Sequence, residues 1–145
     1  MNRSEYYNYI EEKLLVLTFR IENRGKLNIL DYHIHSENFY RDFFNLLYGW
    51  ELRNLNEIQQ NVEGIDLVDE KHKLIVQISA TNTKDKIESS LKKEILKKYK
   101  GYTFKFISIA RNADKLKDLP YHIPNGLNFT PKNDIYDVNT LLRKI

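Results

Sequence analysis

The 145-residue chain contains no cysteine. That absence excludes disulfides, thiolate catalysis and zinc–thiolate sites, and it fits a reducing compartment, so a cytoplasmic protein is the expectation. Nor is there an apolar run long enough to cross a bilayer, and no membrane partner is expected. Arg3, Glu5, Glu11 and Glu12 interrupt the opening segment, which does not read as a signal peptide. A dominant charge is missing too. Lys and Arg number 23 against 20 Asp and Glu, a net +3 that does not announce a nucleic-acid binder and permits only a local basic patch. No repeat, low-complexity tract or internal boundary is present, so residues 1–145 read as a single domain. Its 41% hydrophobic and 30% charged residues are an ordinary globular balance, in a chain long enough to bury a substantial core.

What is present is organised around residues 61–91. Leu74, Val76 and Ile78 alternate with Ile75, Gln77 and Ser79, the period of a strand with two distinguishable faces. The preceding run from Ile65 to Val68 is apolar except for Asp66, and Asp69-Glu70-Lys71-His72 is short and polar enough to reverse the chain. A turn centred on Glu70 and Lys71 sets Asp66 opposite Ile75, on one face with Gln77 and Ser79. Three polar groups on an otherwise apolar hairpin are costly to bury unless they are hydrogen-bonded or bind an ion. A solvated outer face of an edge hairpin is the other reading, and alternation leaves both open.

The flanking segments are mostly helical in pattern. Ser4 caps a helix running to about Arg24, with a narrow seam of Tyr7, Ile10, Leu14, Leu17 and Ile21 and Gly25 as its C-cap. The seam suits packing on the core, or pairing with a second copy in a homodimer. Residues 26–36 read as a connector containing His33 and His35, which with Glu37 have a weak metal-ligand spacing; structural or surface roles are favoured. Ser36 caps a second helix from Glu37 to about Tyr48, with Gly49 beyond and a stripe of Phe39, Phe43, Leu46 and Leu47 widened by Tyr40 and Phe44. Glu37 falls in its first turn, where the helix N-terminus favours a carboxylate, and Asp42 nearer the stripe is the rival buried acid.

Trp50 to Leu55 can form a strand. A third helix starts at Asn82 or Thr83, with Ile87, Leu91, Ile95 and Tyr99 every four residues and Leu96 beside them, closing at Gly101. Lys84, Lys86, Lys92, Lys93, Lys97 and Lys98 decorate it. Such a surface can track a phosphate backbone, though a solvated face is the default. Thr103 to Ala110 is a strand, and a last short helix begins at Asp134 or Asp137.

This order, with an acid in the second strand and a polar face in the third, resembles the restriction-endonuclease-like, or PD-(D/E)xK, nuclease fold. Gly64-Ile65-Asp66 followed by Val76-Gln77-Ile78 is similar to the Mrr type. More narrowly, the stretches I-D-L-V-D, I-V-Q-I-S-A-T-N-T, K-I-E-S-S-L and H-I-H-S-E-N-F-Y-R-D-F-F-N-L-L-Y-G-W resemble the SMEK domain, a module at the N-terminus of many bacterial proteins, often considered part of conflict or defence systems. The resemblance implies an α/β fold with a three-layer core, a central four-stranded mixed sheet flanked by helices, and an added N-terminal helix.

It also implies a site. Asp66 takes the metal-binding role of the second-strand acid. Gln77 stands where the family usually has an acid, and the Ile78 carbonyl is a further ligand. Glu37 supplies the helix acid, with Asp42 as its rival. Such oxygen ligands suit Mg2+ or Mn2+. Ser79 replaces the family's lysine, which positions the attacking water and offsets phosphate charge; Lys84 or Lys86 would have to reach back. The resemblance thus implies either a metal-dependent nuclease acting on DNA in bacterial defence, or a catalytically degenerate module of that fold that binds nucleic acid or a partner protein.

Overall fold

The structure, a computed structural model, describes residues 3–24, 29–55, 64–109 and 112–144, with side chains described for 3–16, 36–55, 64–109 and 112–143. Two long helices, α1 (Arg3–Arg24) and α2 (Ile29–Tyr48), lead into strands β1 (Arg53–Asn54), β2 (Leu67–Asp69) and β3 (Leu74–Ser79). Helix α3 (Lys84–Leu91) and a 3-10 helix (Glu94–Tyr99) precede β4 (Thr103–Ser108). The chain closes with α4 (Asp114–Lys117), α5 (Pro131–Asp134), β5 (Ile135–Tyr136) and α6 (Val138–Lys144). The strands form one mixed sheet in the order β1-β2-β3-β4-β5. The β1/β2 and β2/β3 pairs are antiparallel, β3/β4 and β4/β5 parallel.

All six residues of β3 are buried, as expected of a central strand covered on both faces. Leu74, Val76 and Ile78 join Ile107, Ile109 and the ring-rich side of α2, with Leu14 of α1 and Leu141 of α6. Ile75 joins Phe104, Phe106 and Ile135 against Ile87 and Leu91 of α3, Leu96, and Phe129. Two separate apolar clusters on opposite faces of one sheet make a three-layer α/β arrangement. Phe44 is fully buried, its ring 5.5 Å from that of Trp50, and Trp50 lies 4.6 Å from Tyr48, which anchors α2 against the sheet edge.

The structure corrects several expectations. Among the described residues the sheet has five strands rather than four, because Ile135–Tyr136 pairs with Phe106–Ile107. The final helix therefore starts from Asp137, whose side chain accepts from the Thr140 N–H at 2.7 Å. Helix α2 begins at Ile29, so residues 29–36 are helical and buried Ser36 is interior, not a cap. The expected C-cap Gly25 and the start of the connector lie outside the described residues, as do the side chains of Leu17, Ile21, His33 and His35. Leu46, placed in the apolar stripe, is 83% exposed. The strand expected at 50–55 shrinks to Arg53–Asn54, and β4 ends at Ser108.

The third helix also breaks, at Lys92, and resumes as 3-10 helix after an extended Lys93. The break exchanges Ile95 for Leu96 as the next buried residue, a spacing of five that an unbroken helix cannot keep on one face. The hairpin register pairs Val68 with Ile75, which sets Asp66 opposite Gln77 rather than Ile75. A shift of two residues keeps every side chain on its expected face.

Lys105 of β4 shows how this sheet tolerates a buried charge. Its Nζ lies 2.8 Å from Asp134 Oδ1 and 3.2 Å from the Tyr136 hydroxyl, between the rings of Trp50 and Tyr136. Burial depresses the ammonium pKa, but the Asp134 hydrogen bond and the neighbouring charges override it and hold the pKa above its usual value. Asp134→Ala would strand this cation and is expected to cost about 3–5 kcal/mol in urea unfolding. Asp114→Ala, at the exposed end of the Lys117 pair, should cost less than about 1 kcal/mol.

Candidate functional site

The polar face of the β2–β3 hairpin opens into a cleft of about 530 Å3 at the C-terminal end of β3. In open α/β sheets this is where ligands bind, because the strand ends there expose unpaired backbone next to the following loop. Glu37, Asp66, Gln77, Ile78, Ser79 and Lys86 all line it. The solvated-edge reading of the hairpin fails, since Gln77 and Ser79 are each 5% exposed.

Asp66 is held by the ladder itself. Its backbone N–H donates to the Val76 carbonyl at 2.8 Å, and its carbonyl accepts from Leu55 at 2.9 Å. Beyond that point β2 leaves β3, and Asp66 Oδ2 takes the next rung by accepting from the Ile78 N–H at 2.7 Å. One carboxylate oxygen is thus spent on the sheet.

Glu37 arrives from α2 and is 7% exposed. With the helix starting at Ile29, Glu37 lies well past its first turn, so the helix N-terminus does not account for a carboxylate there. Asn54 of β1 does part of that work: its Nδ2 lies 3.1 Å from both Glu37 Oε2 and Asn38 Oδ1. The Glu37 and Asp66 carboxyls both line the cleft, close enough to interact directly. Burial, then the Glu37 charge, push the Asp66 pKa up to about 8, against the opposing pull of the Ile78 N–H and of Lys86. Asp66 therefore keeps its proton at neutral pH unless a cation replaces it.

Gln77 meets α3 through Ser90, whose hydroxyl faces both Gln77 Oε1, which accepts from it, and the Lys86 carbonyl at 2.9 Å. Ser90 has one proton, so it cannot donate to both oxygens. Turning the Gln77 amide over satisfies both contacts, with its NH2 donating to Ser90 and Ser90 donating to Lys86, and in that orientation the carbonyl oxygen is the end turned to a cleft ligand. The donor set is then two carboxylates, one amide oxygen and the strand backbone at Ile78, hard oxygen ligands that fit a small divalent cation. Among the described residues no group of three or more His, Asp or Glu converges, so the set is lean in charge.

The other candidates divide clearly. Asp42 is exposed and paired with Arg41 at 3.0 Å, which removes it as Glu37's rival. Ser79 is spent on the turn out of β3: its Oγ accepts from the Thr81 N–H and donates to the Thr81 carbonyl, both at 3.0 Å. Of the two lysines expected to reach back, Lys86 lines the cleft and Lys84 does not. Reasoning from sequence missed Asn54, Ser90, Lys93 and the contact role of Gly64. Gly64 has φ 87°, and a Cβ there would stand 2.8 Å from Lys93 Cγ, so the glycine admits the Lys93 stem to the cleft wall. Asp66-x-x-Asp69 offers a second acid that is also structural. Asp69 is fully buried, but hydrogen bonds from the Glu51 and His72 backbone and the His72 ring outweigh desolvation and hold its pKa low.

A family described as the SMEK domain matches residues 9–145. No curated protein and no solved structure matches the chain. Among the described residues no helix is long and apolar enough to cross a membrane.

The raised Asp66 pKa has a signed consequence. Between the unfolded value near 3.8 and about 8 the folded state holds the extra proton, so metal-free stability falls as pH rises through this window and levels off above it. The slope is at most about 1.4 kcal/mol per pH unit for one proton. Asp66→Asn keeps an acceptor for Ile78 without the charge. Its Tm, followed by circular dichroism in EDTA, is expected to exceed that of the native chain at pH 8 and to lose most of this pH dependence.

Proposed function

The chain belongs to the SMEK domain family, and from that premise we propose that its cleft is a divalent-metal site that hydrolyses DNA phosphodiesters. The fold in this reading is a restriction-endonuclease-like variant with a fifth strand, in a bacterial defence setting. The observation that carries it is the meeting of buried Glu37 and half-buried Asp66, carboxyls from distant elements, in a polar cleft with Gln77 and Lys86 on its walls. A carboxyl whose pKa is raised by desolvation and a neighbouring charge, set in a polar cleft, marks a candidate functional site.

Glu37, Asp66 and the Gln77 amide oxygen would hold Mg2+ or Mn2+, with the Ile78 backbone beside them. A bound dication supplies Lewis-acid polarisation of a phosphoryl oxygen and acidifies a coordinated water. Asn54 fixes Glu37, and the Ile78 N–H fixes Asp66, so the ligands are positioned before a cation arrives. Lys86 provides the positive charge that Ser79 cannot, from α3 rather than from the strand. Its charge already acts on Asp66. With a dication bound it would face the phosphate of a substrate strand.

The second reading, a nuclease-fold module without catalysis, is favoured by one observation. Ser79 closes on Thr81 and leaves no cation on β3 itself.

Incubation of plasmid DNA with the protein and Mg2+ or Mn2+ separates the two. The nuclease reading expects nicking that EDTA abolishes, that Asp66→Ala and Glu37→Gln remove, and that Lys86→Gln slows by about 100-fold, the scale of losing one charge-stabilising donor. Cleavage that survives in folded Asp66→Ala overturns it, and metal binding without cleavage establishes the second reading.

A further inference from the structure

A second cavity, of about 240 Å3, lies beside the cleft, between the 3-10 helix and the loop at residues 122–127. Its floor is apolar, formed by Leu91, Leu96 and Leu127. Its rim is cationic, with Lys92, Lys93, Lys97 and Lys100. Of these, Lys97 is paired with Glu94 at 2.9 Å. Glu88 is also close, accepting from the His122 N–H at 3.3 Å. Even so, four lysines converge on one pocket in a chain whose net charge is only +3. Lys93 lines both this pocket and the carboxylate cleft.

Two of the lysines are flanked along their stems by glycines. Gly64 and Gly126 have φ of 87° and 88°, and each meets a lysine stem: a Cβ at Gly64 would lie 2.8 Å from Lys93 Cγ, and one at Gly126 would lie 3.4 Å from Lys100 Cγ. The far wall is pinned by backbone bonds, Gly101 N–H to the Gly126 carbonyl at 2.6 Å and Asn128 N–H to the Tyr102 carbonyl at 3.0 Å. The break in the helix after Lys92 produces this geometry, because it turns Lys97 and Lys100 around the pocket instead of along a single helical face.

We propose that this pocket is a nucleic-acid backbone site, joined to the carboxylate cleft along the Lys93 stem, in which a sugar or base rests on the leucine floor while flanking phosphates meet Lys92 and Lys100. Ammonium groups around an apolar floor suit a polymer that alternates charged phosphates with apolar rings. An acidic peptide fits less well, since its backbone amides would meet leucines that offer no hydrogen bond. The site binds whether or not the adjoining cleft hydrolyses, so its test runs without metal and its failure is separate from failure of the nuclease reading.

Fluorescence anisotropy of a short labelled DNA duplex and of the matching single strand, in EDTA, provides that test. Lys92→Gln/Lys100→Gln is expected to weaken binding by about tenfold or more at moderate salt and to lower the slope of log K against log salt by about 2, one unit per lost phosphate contact. The comparison pair Lys115→Gln/Lys132→Gln, exposed lysines on α4 and α5, should leave both unchanged, and Tm checks that all variants are folded. No DNA binding by the native protein overturns the proposal, as does equal loss in the two double variants. Polyglutamate that competes as well as unlabelled DNA overturns it in favour of an acidic protein partner.

Discussion

The Glu37–Asp66 approach constrains the whole site, because two carboxyls cannot sit side by side in a poorly hydrated cleft without a proton on Asp66 or a cation between them. Each is fixed by a different part of the sheet edge. Asp66 takes the rung of the ladder that β2 vacates, and Glu37 is held by Asn54 of β1. The aromatic packing of Phe44, Tyr48 and Trp50 sets where α2 crosses that edge, and so where Glu37 lands. Residues far from the cleft therefore decide the separation of the two acids, and the energy of holding them together is drawn from apolar contact on both faces of the sheet.

Positive charge reaches the cleft from the layer opposite α2. A lysine on β3 would extend from the same strand as Gln77, but Ser79 uses that position to turn the chain towards Thr83, whose Oγ1 accepts from the Lys86 N–H at 3.2 Å to cap α3. The cap fixes the start of α3, hence the direction of Lys86 and the meeting of Ser90 with Gln77. The helix break after Lys92 then places Lys93 on the cleft wall. Replacing a strand cation with helix cations shifts the site's dependence from strand register to the docking of α3, which rests on Ile87 and Leu91.

Alternation in Leu74–Ser79 identified the strand and the shared face of Asp66, Gln77 and Ser79, and that face survives a register error of two residues because the side-chain period is also two. Glu37 was singled out by family resemblance, whereas its own local context suggested an ordinary first-turn acid. That context was mistaken because the helix begins further back, at Ile29, through residues whose two histidines look like a loop. Asp42 is the same kind of residue on the same helix, and only the packing of α2 separates them. Asn54 and Ser90 carry no local signal, since an asparagine in a short strand and a serine in a helix have many uses. The fifth strand is two residues long, too short for any periodicity to register.

The amino-acid order alone determined the local periods: which segments alternate, which recur every three or four residues, and which polar groups share a strand face. These follow from backbone geometry, which each segment carries within itself. Tertiary structure decided which carboxyl meets Asp66, which lysine answers the missing strand cation, and which hydroxyl becomes a turn and which a partner of Gln77. Such choices depend on distances between segments far apart in the chain, and only the docking of helices on both faces of one sheet sets those distances.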